Sequence, residues 1–150
     1  IYNIYMKLKL VLLSLFAASS VLAVQTKCPL MINDEVDTEE TVTVEGKRID
    51  FCCGSCVKKF DANKAYYIKA VKYLNDLFTP EQRKKLGVDE VVLLQQRFCP
   101  IYPDRIVNPN SPTVEYKGMT IYFWSSSATR RWKRDPDKYY QDAKSKGILK

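Results

Sequence analysis

The run Phe51, Cys52, Cys53, Gly54, Ser55, Cys56 returns further along the chain as Phe123, Trp124, Ser125, Ser126, Ser127, Ala128, in the same surroundings and without sulfur. An internal repeat restricts a chain more than composition does, because a fold adopted by one copy is expected of the other. Thr41 to Asp50 aligns with Thr113 to Tyr122, Phe60 with Trp132 and Tyr67 with Tyr139. Upstream, Cys28, Pro29, Leu30, Met31 answers to Cys99, Pro100, Ile101, Tyr102, at an offset shorter by a single residue. From the first copy to the second the soft atoms vanish together: Met31 becomes Tyr102, Cys52 becomes Trp124, Cys53 becomes Ser125 and Cys56 becomes Ala128. What persists is scaffold and what goes is chemistry. Independent drift of the two copies is the alternative.

The repeat predicts local structure. Thr41 to Val44 and Lys47 to Phe51 alternate as strands do, and Glu45, Gly46 between them suits a tight hairpin turn with positive φ. From Ser55 the period becomes helical, through Val57, Phe60, Tyr67, Ile68, Val71, Leu74 and Phe78, with a break expected near Asp61 to Asn63. Thr79, Pro80, Glu81, Gln82 is a helix start, with Thr as N-cap, Pro at the first position and Gln placed for a capping box; Gly87 ends that helix. The apolar run Val91 to Leu94 is read as helix because Gln95, Gln96 and Arg97 follow, with strand as the alternative. The second copy repeats hairpin then helix to about Ala143, and Lys144 to Lys150 are expected to fray. The expected fold class is therefore α+β: two tandem small β-hairpin-plus-helix units joined by a helical connector and packed on one another. Residues 1–23 form a leader, 24–72 the first unit, 73–97 the connector and 98–146 the degenerate second unit.

The leader reads as an export signal. Lys7 and Lys9 precede the apolar stretch Leu10 to Ala18, and Val21, Leu22, Ala23 supply small residues for cleavage, so the mature chain starts near Val24 and is secreted or periplasmic. Residues 1–5 precede Met6 and read as upstream sequence. The apolar stretch falls short of the ~20 residues of a standard membrane span, so no stable span is expected after cleavage, with an uncleaved anchor as the alternative. Removing Lys7 and Lys9 takes the formal net charge from +7 to +5, ordinary for a small domain. Arg130, Arg131, Lys133 and Arg134 are read as a solvated helix face, and no nucleic-acid partner is expected. Asp34, Glu35, Asp37, Glu39 and Glu40 match no calcium spacing and are read as a solvated loop.

The sulfur atoms carry the remaining chemistry. The chain has no histidine, which excludes Ser-His-Asp triads, Cys-His nucleophile pairs and His-Glu-x-x-His zinc sites. Five cysteines cannot all pair within one chain, and free thiols are unusual after export unless bound or redox-active. Twenty-three residues separate Cys28 from Cys52 and three separate Cys52 from Cys56. A hairpin returns the chain to its start, so the turn holding Cys28 is expected against the end of the second strand. There the first helical turn offers unpaired amides and a positive dipole end, which favour thiolate. Cys28, Cys52 and Cys56, with Cys53 adjacent, are the candidate metal ligands; thiolates without imidazole suit Zn(II) or Cu(I). In a zinc site Cys53 or a side-chain oxygen supplies a fourth ligand. Met31 is read as packing, with a thioether bond to Cu(I) as the alternative. Cys99 is read as a relic, with a fourth-ligand role or pairing to a first-copy sulfur as alternatives.

The rival chemistry is a thiol-disulfide redox protein using Cys53-x-x-Cys56 at a helix start. A structural adaptor stapled by disulfides is a third reading. Cys28, Pro29, Leu30, Met31, then Thr43 to Phe51 with Gly46 and Lys47, then Cys52, Cys53, Gly54, Ser55, Cys56, Phe60 and Tyr67 together resemble the YHS family and its relative the TRASH domain, small treble-clef-like metal-binding modules. A weaker resemblance runs from Cys99 to Tyr140, through Asp135, Pro136, Asp137, Lys138, Tyr139. The resemblance implies metal binding through Cys28, Cys52 and Cys56, with Cys53 adjacent, in proteins of heavy-metal sensing, trafficking or resistance; the leading reading of the chain is an exported, non-enzymatic binder of a soft metal. The second unit then stabilises the first or contacts a protein partner.

Overall fold

The computed structural model describes residues 25–150, so the stretch read as an export signal lies outside the described residues. Among these the chain is mixed α and β, with two separate antiparallel two-stranded sheets and six helices. Strand β1 (Asp37–Val44) pairs with β2 (Lys47–Phe51), Val44 opposite Lys47 and Val42 opposite Ile49. Glu45 and Gly46 turn the hairpin with φ of 47° and 74°, the doubly positive pair that lets a two-residue turn follow the strand twist. Helix α1 (Gly54–Ala62) follows directly and breaks at Asn63, as its sequence predicts, before α2 (Lys64–Ala70).

Helix α3 (Lys72–Leu77) and helix α4 (Pro80–Lys85) begin the connector. The expected capping box is present: Gln82 N donates to Thr79 Oγ1 and Thr79 N donates to Gln82 Oε1, worth about 1 kcal/mol. The helix expected at Val91 to Leu94 does not form. Side chains from the first unit take its backbone groups instead: Lys69 Nζ donates to Val91 O at 2.6 Å and Leu94 N donates to Tyr66 Oη at 3.4 Å. Val92 is left 84% exposed, so the run presents no single apolar face for a helix to bury.

Strands β3 (Thr113–Tyr116) and β4 (Met119–Tyr122) form the second hairpin, then come α5 (Ser126–Trp132) and α6 (Pro136–Ser145). The expected fraying after Ala143 is also corrected. Gly147, at φ 69°, lets Ile148 N return to Ala143 O at 2.9 Å, and Leu149 is carried into the core at 8% exposure. The helix thus ends in a fixed cap whose apolar residue packs.

The two hairpin–helix regions share their internal bonding. Cys28 N donates to Asp34 O at 2.9 Å and Asp34 N to Met31 O at 2.9 Å; Cys99 N donates to Arg105 O at 2.9 Å and Arg105 N to Tyr102 O at 3.0 Å. Phe51 and Phe60 meet at 5.1 Å, Phe123 and Trp132 at 5.3 Å; the stacked pairs Phe60–Tyr67 and Trp132–Tyr139 both stand at 6.4 Å. One cluster of buried residues runs through both regions, from Cys28 to Leu149. They meet through their cysteine-bearing turns, where Ile32 N donates to Asp104 O at 2.9 Å and Ile106 N to Leu30 O at 3.0 Å. Among the described residues no helix is long and apolar enough to cross a membrane.

Candidate metal centre

Three local choices bring distant sulfurs together. Gln25 grips the second strand with both ends of its amide, accepting from Asp50 N at 3.0 Å and donating to Asp50 O at 2.5 Å. This lays the segment before Cys28 along β2 and delivers the Cys28 turn to the strand's far end. There Cys52 follows Phe51, and Cys53 caps α1 with its carbonyl accepting from Cys56 N at 3.0 Å and Val57 N at 3.3 Å. Cys56, in the first turn of the helix, points back into the same space.

The sulfurs of Cys28, Cys52 and Cys56 all lie within 4.8 Å of one another. Cys52 Sγ is 3.6 Å from Cys56 Sγ, and all five cysteines are unpaired. Two sulfurs bound tetrahedrally to one ion at ~2.3 Å stand ~3.8 Å apart, so the spacing fits thiolates on a shared metal. Cys28 and Cys56 are buried while Cys52 is half-buried, which leaves one side of the group open to solvent.

The thiols differ in acidity because they share one pocket. Cys28 is held down at about 5, chiefly by a hydrogen bond donated from Cys56, against burial and with help from the backbone amides of Cys52, Met31 and Leu30. Burial, then the neighbouring Cys28 thiolate, pushes Cys52 up to about 12. Cys56 is raised strongly because it donates to Cys28, is buried, and faces two other sulfurs. The group thus favours a thiolate at Cys28 and thiols at Cys52 and Cys56, and a cation bound by all three sulfurs would displace the remaining protons. Lys59 brings positive charge close: its Nζ donates to Trp124 O at 2.9 Å and lies 4.6 Å from the Trp124 ring centre. Burial lowers its pKa while the Cys56 sulfur opposes that shift.

The remaining sequence candidates fall around this group. Cys53 Sγ is 3.8 Å from Cys52 Sγ but outside the three-sulfur group, and it meets Ser55 Oγ at 3.0 Å. Burial opposes its ionisation, yet the Ser55 hydroxyl and the Cys56 amide outweigh burial and lower its pKa. Met31 Sδ lies 3.5 Å from Cys52 Sγ. Cys99 is buried and unpaired, and burial raises its pKa; the amides of Trp124, Tyr102 and Ile101 face its sulfur as those of Cys52, Met31 and Leu30 face Cys28. Asp34, Glu35, Asp37 and Glu39 are exposed and Glu40 is half-buried; none of them joins the sulfur group.

Sequence reasoning passed over three contributors. Gln96 repeats the Gln25 clamp, accepting from Tyr122 N at 2.9 Å and donating to Tyr122 O at 2.6 Å. The signal was present: Gln stands three residues before Cys-Pro in both copies. Arg105, at the place of Asp34, sets its guanidinium 4.2 Å from the Tyr102 ring and 5.8 Å from the Trp124 ring. Lys59 joins the two regions through the Trp124 contact just described. No family model, no curated protein and no solved structure matches the chain.

Proposed function

We propose that this chain is an exported, non-enzymatic protein that binds one soft metal ion, Zn(II) or Cu(I), at Cys28, Cys52 and Cys56, and serves in metal trafficking, sensing or resistance. The observation that carries the proposal is the convergence of three sulfurs, one of them far from the other two in sequence, within 4.8 Å. Backbone amides aimed at Cys28 stabilise thiolate, the form that takes metal. The donor chemistry fits: three soft anionic ligands at ligand spacing, in a chain without imidazole. The resemblance to YHS and TRASH modules points the same way, with residues 24–72 as the working unit and the second region as its scaffold or partner surface.

One observation favours a second reading. Cys53, half-buried at a helix start with a lowered pKa, has the makings of an attacking thiolate, and Cys53-x-x-Cys56 would then cycle between dithiol and disulfide. Thiols and metal counted in one purified sample separate the readings. The metal-binding protein shows all five thiols on denaturation and one metal per chain. A redox protein shows a reversible Cys53–Cys56 disulfide, exchange activity and no metal. A disulfide-stapled adaptor shows one free thiol or a mixed disulfide.

A further inference from the structure

A tetrahedral ion needs four donors, and Cys28, Cys52 and Cys56 supply three. Imidazole is absent from the chain, and among the described residues no carboxylate or further cysteine belongs to the mutually close group. Cys53 turns its sulfur to the Ser55 hydroxyl at 3.0 Å. Met31 Sδ, by contrast, lies 3.5 Å from Cys52 Sγ, nearer than Cys53 Sγ at 3.8 Å and close to the 3.6 Å between the ligand sulfurs Cys52 and Cys56.

The backbone holds Met31 at this position. Its amide faces Cys28 Sγ, its carbonyl accepts from Asp34 N at 2.9 Å, and its strand-like bridge to Arg105 ties it to the second region. Met31 is 9% exposed, and its thioether meets the Cys52 sulfur. In the second region, where the sulfurs of the helix start are gone, the thioether is gone too: Tyr102 stands there with the Arg105 guanidinium over its ring. A residue that only filled space would not need to change with the thiols.

We infer that Met31 Sδ is the fourth donor of this centre and that it tunes the site toward a soft monovalent ion, Cu(I) or Ag(I), over Zn(II). The inference rests on the three-thiol reading of the site and deepens it. A neutral thioether binds Cu(I) well, whereas Zn(II) draws its fourth bond from thiolate, imidazole, carboxylate or water. Loading is a ligand exchange: sulfur–metal bonds form, thiol protons pass to water, and the metal keeps its oxidation state.

The test uses the intact chain made with selenomethionine and loaded anaerobically with Cu(I) alone. X-ray absorption at the copper edge should show a copper–selenium scattering path at bonding distance. Met31→Leu should abolish that path, while Met119→Leu in β4 should leave it. In competition with a Cu(I)-specific chelator, Met31→Leu should weaken Cu(I) binding by about tenfold or more and leave Zn(II) binding unchanged. Absence of the copper–selenium path, or equal effects of Met31→Leu on both metals, overturns the role of Met31 while the three-thiol site stands. Failure of the unaltered chain to bind either metal overturns both.

Discussion

The first hairpin–helix region gathers Cys28, Cys52, Cys56 and Met31 around one point; the second presents Cys99, Trp124, Ala128 and Tyr102 at the equivalent places, with Arg105 over the aromatic rings. The backbone around the two points is alike down to the glutamine clamp and the amides facing Cys28 and Cys99. One scaffold is thus filled in two ways. Sulfur leaves a group that is repulsive once ionised and that, under the proposed function, a cation from solution completes. Aromatic rings and a guanidinium fill the other with parts of the chain itself, and the second region is stable without an external ion on this account.

The sharpest way to break the comparison is to make the same change on both sides. Cys56→Ser should cost the first region its metal, and with it about 10 kcal/mol of apparent free energy, so thermal unfolding with and without chelator becomes identical. Ala128→Ser buries a hydroxyl for about 1 to 3 kcal/mol and should leave the chelator effect intact. Trp124→Ala removes the ring under Lys59 and Arg105 and should cost about 3 to 5 kcal/mol, equally in metal-loaded and metal-free protein, as read by denaturant unfolding.

Acidity supplies a third test, confined to the first region. Cys28 is depressed to about 5, so it contributes stability above the unfolded thiol value and loses it as pH falls through about 5. Cys52 and Cys56 are raised and keep their protons at neutral pH, so an incoming metal must displace two protons. Metal affinity should therefore fall with falling pH by about a hundredfold per unit above pH 5, and more steeply below, in competition titrations. A flat profile would remove the thiols from the metal site. The smallest expected effect comes from the clamps. Gln25→Leu and Gln96→Leu should each cost about 1 to 3 kcal/mol of stability, but only Gln25→Leu should also weaken metal binding, because only that clamp positions a ligand.

Much of this was legible in the sequence because it is local. The Glu45-Gly46 and Lys117-Gly118 turns have the positive φ their hairpins demand, and Thr79, Pro80 and Gln82 build their cap from neighbouring atoms. The Cys28, Cys52 and Cys56 convergence was also legible, since a hairpin of known length returns the chain. What sequence reasoning lost was decided by distant partners. Val91 to Leu94 reads as helix until Lys69 and Tyr66 take its backbone groups, and Lys144 to Lys150 reads as a loose end until Leu149 finds the core. Arg105 has no local signal either: its place over Tyr102 and Trp124 depends on how the second region closes.

The most direct measurement is a metal titration of the intact chain beside four single variants, followed by sulfur-to-metal charge-transfer absorbance. Cys28→Ser, Cys52→Ser and Cys56→Ser should each abolish tight binding of one ion, while Cys99→Ser should titrate like the unaltered chain. Undiminished binding by Cys28→Ser, or loss of binding in Cys99→Ser, would contradict a shared centre built from those three sulfurs.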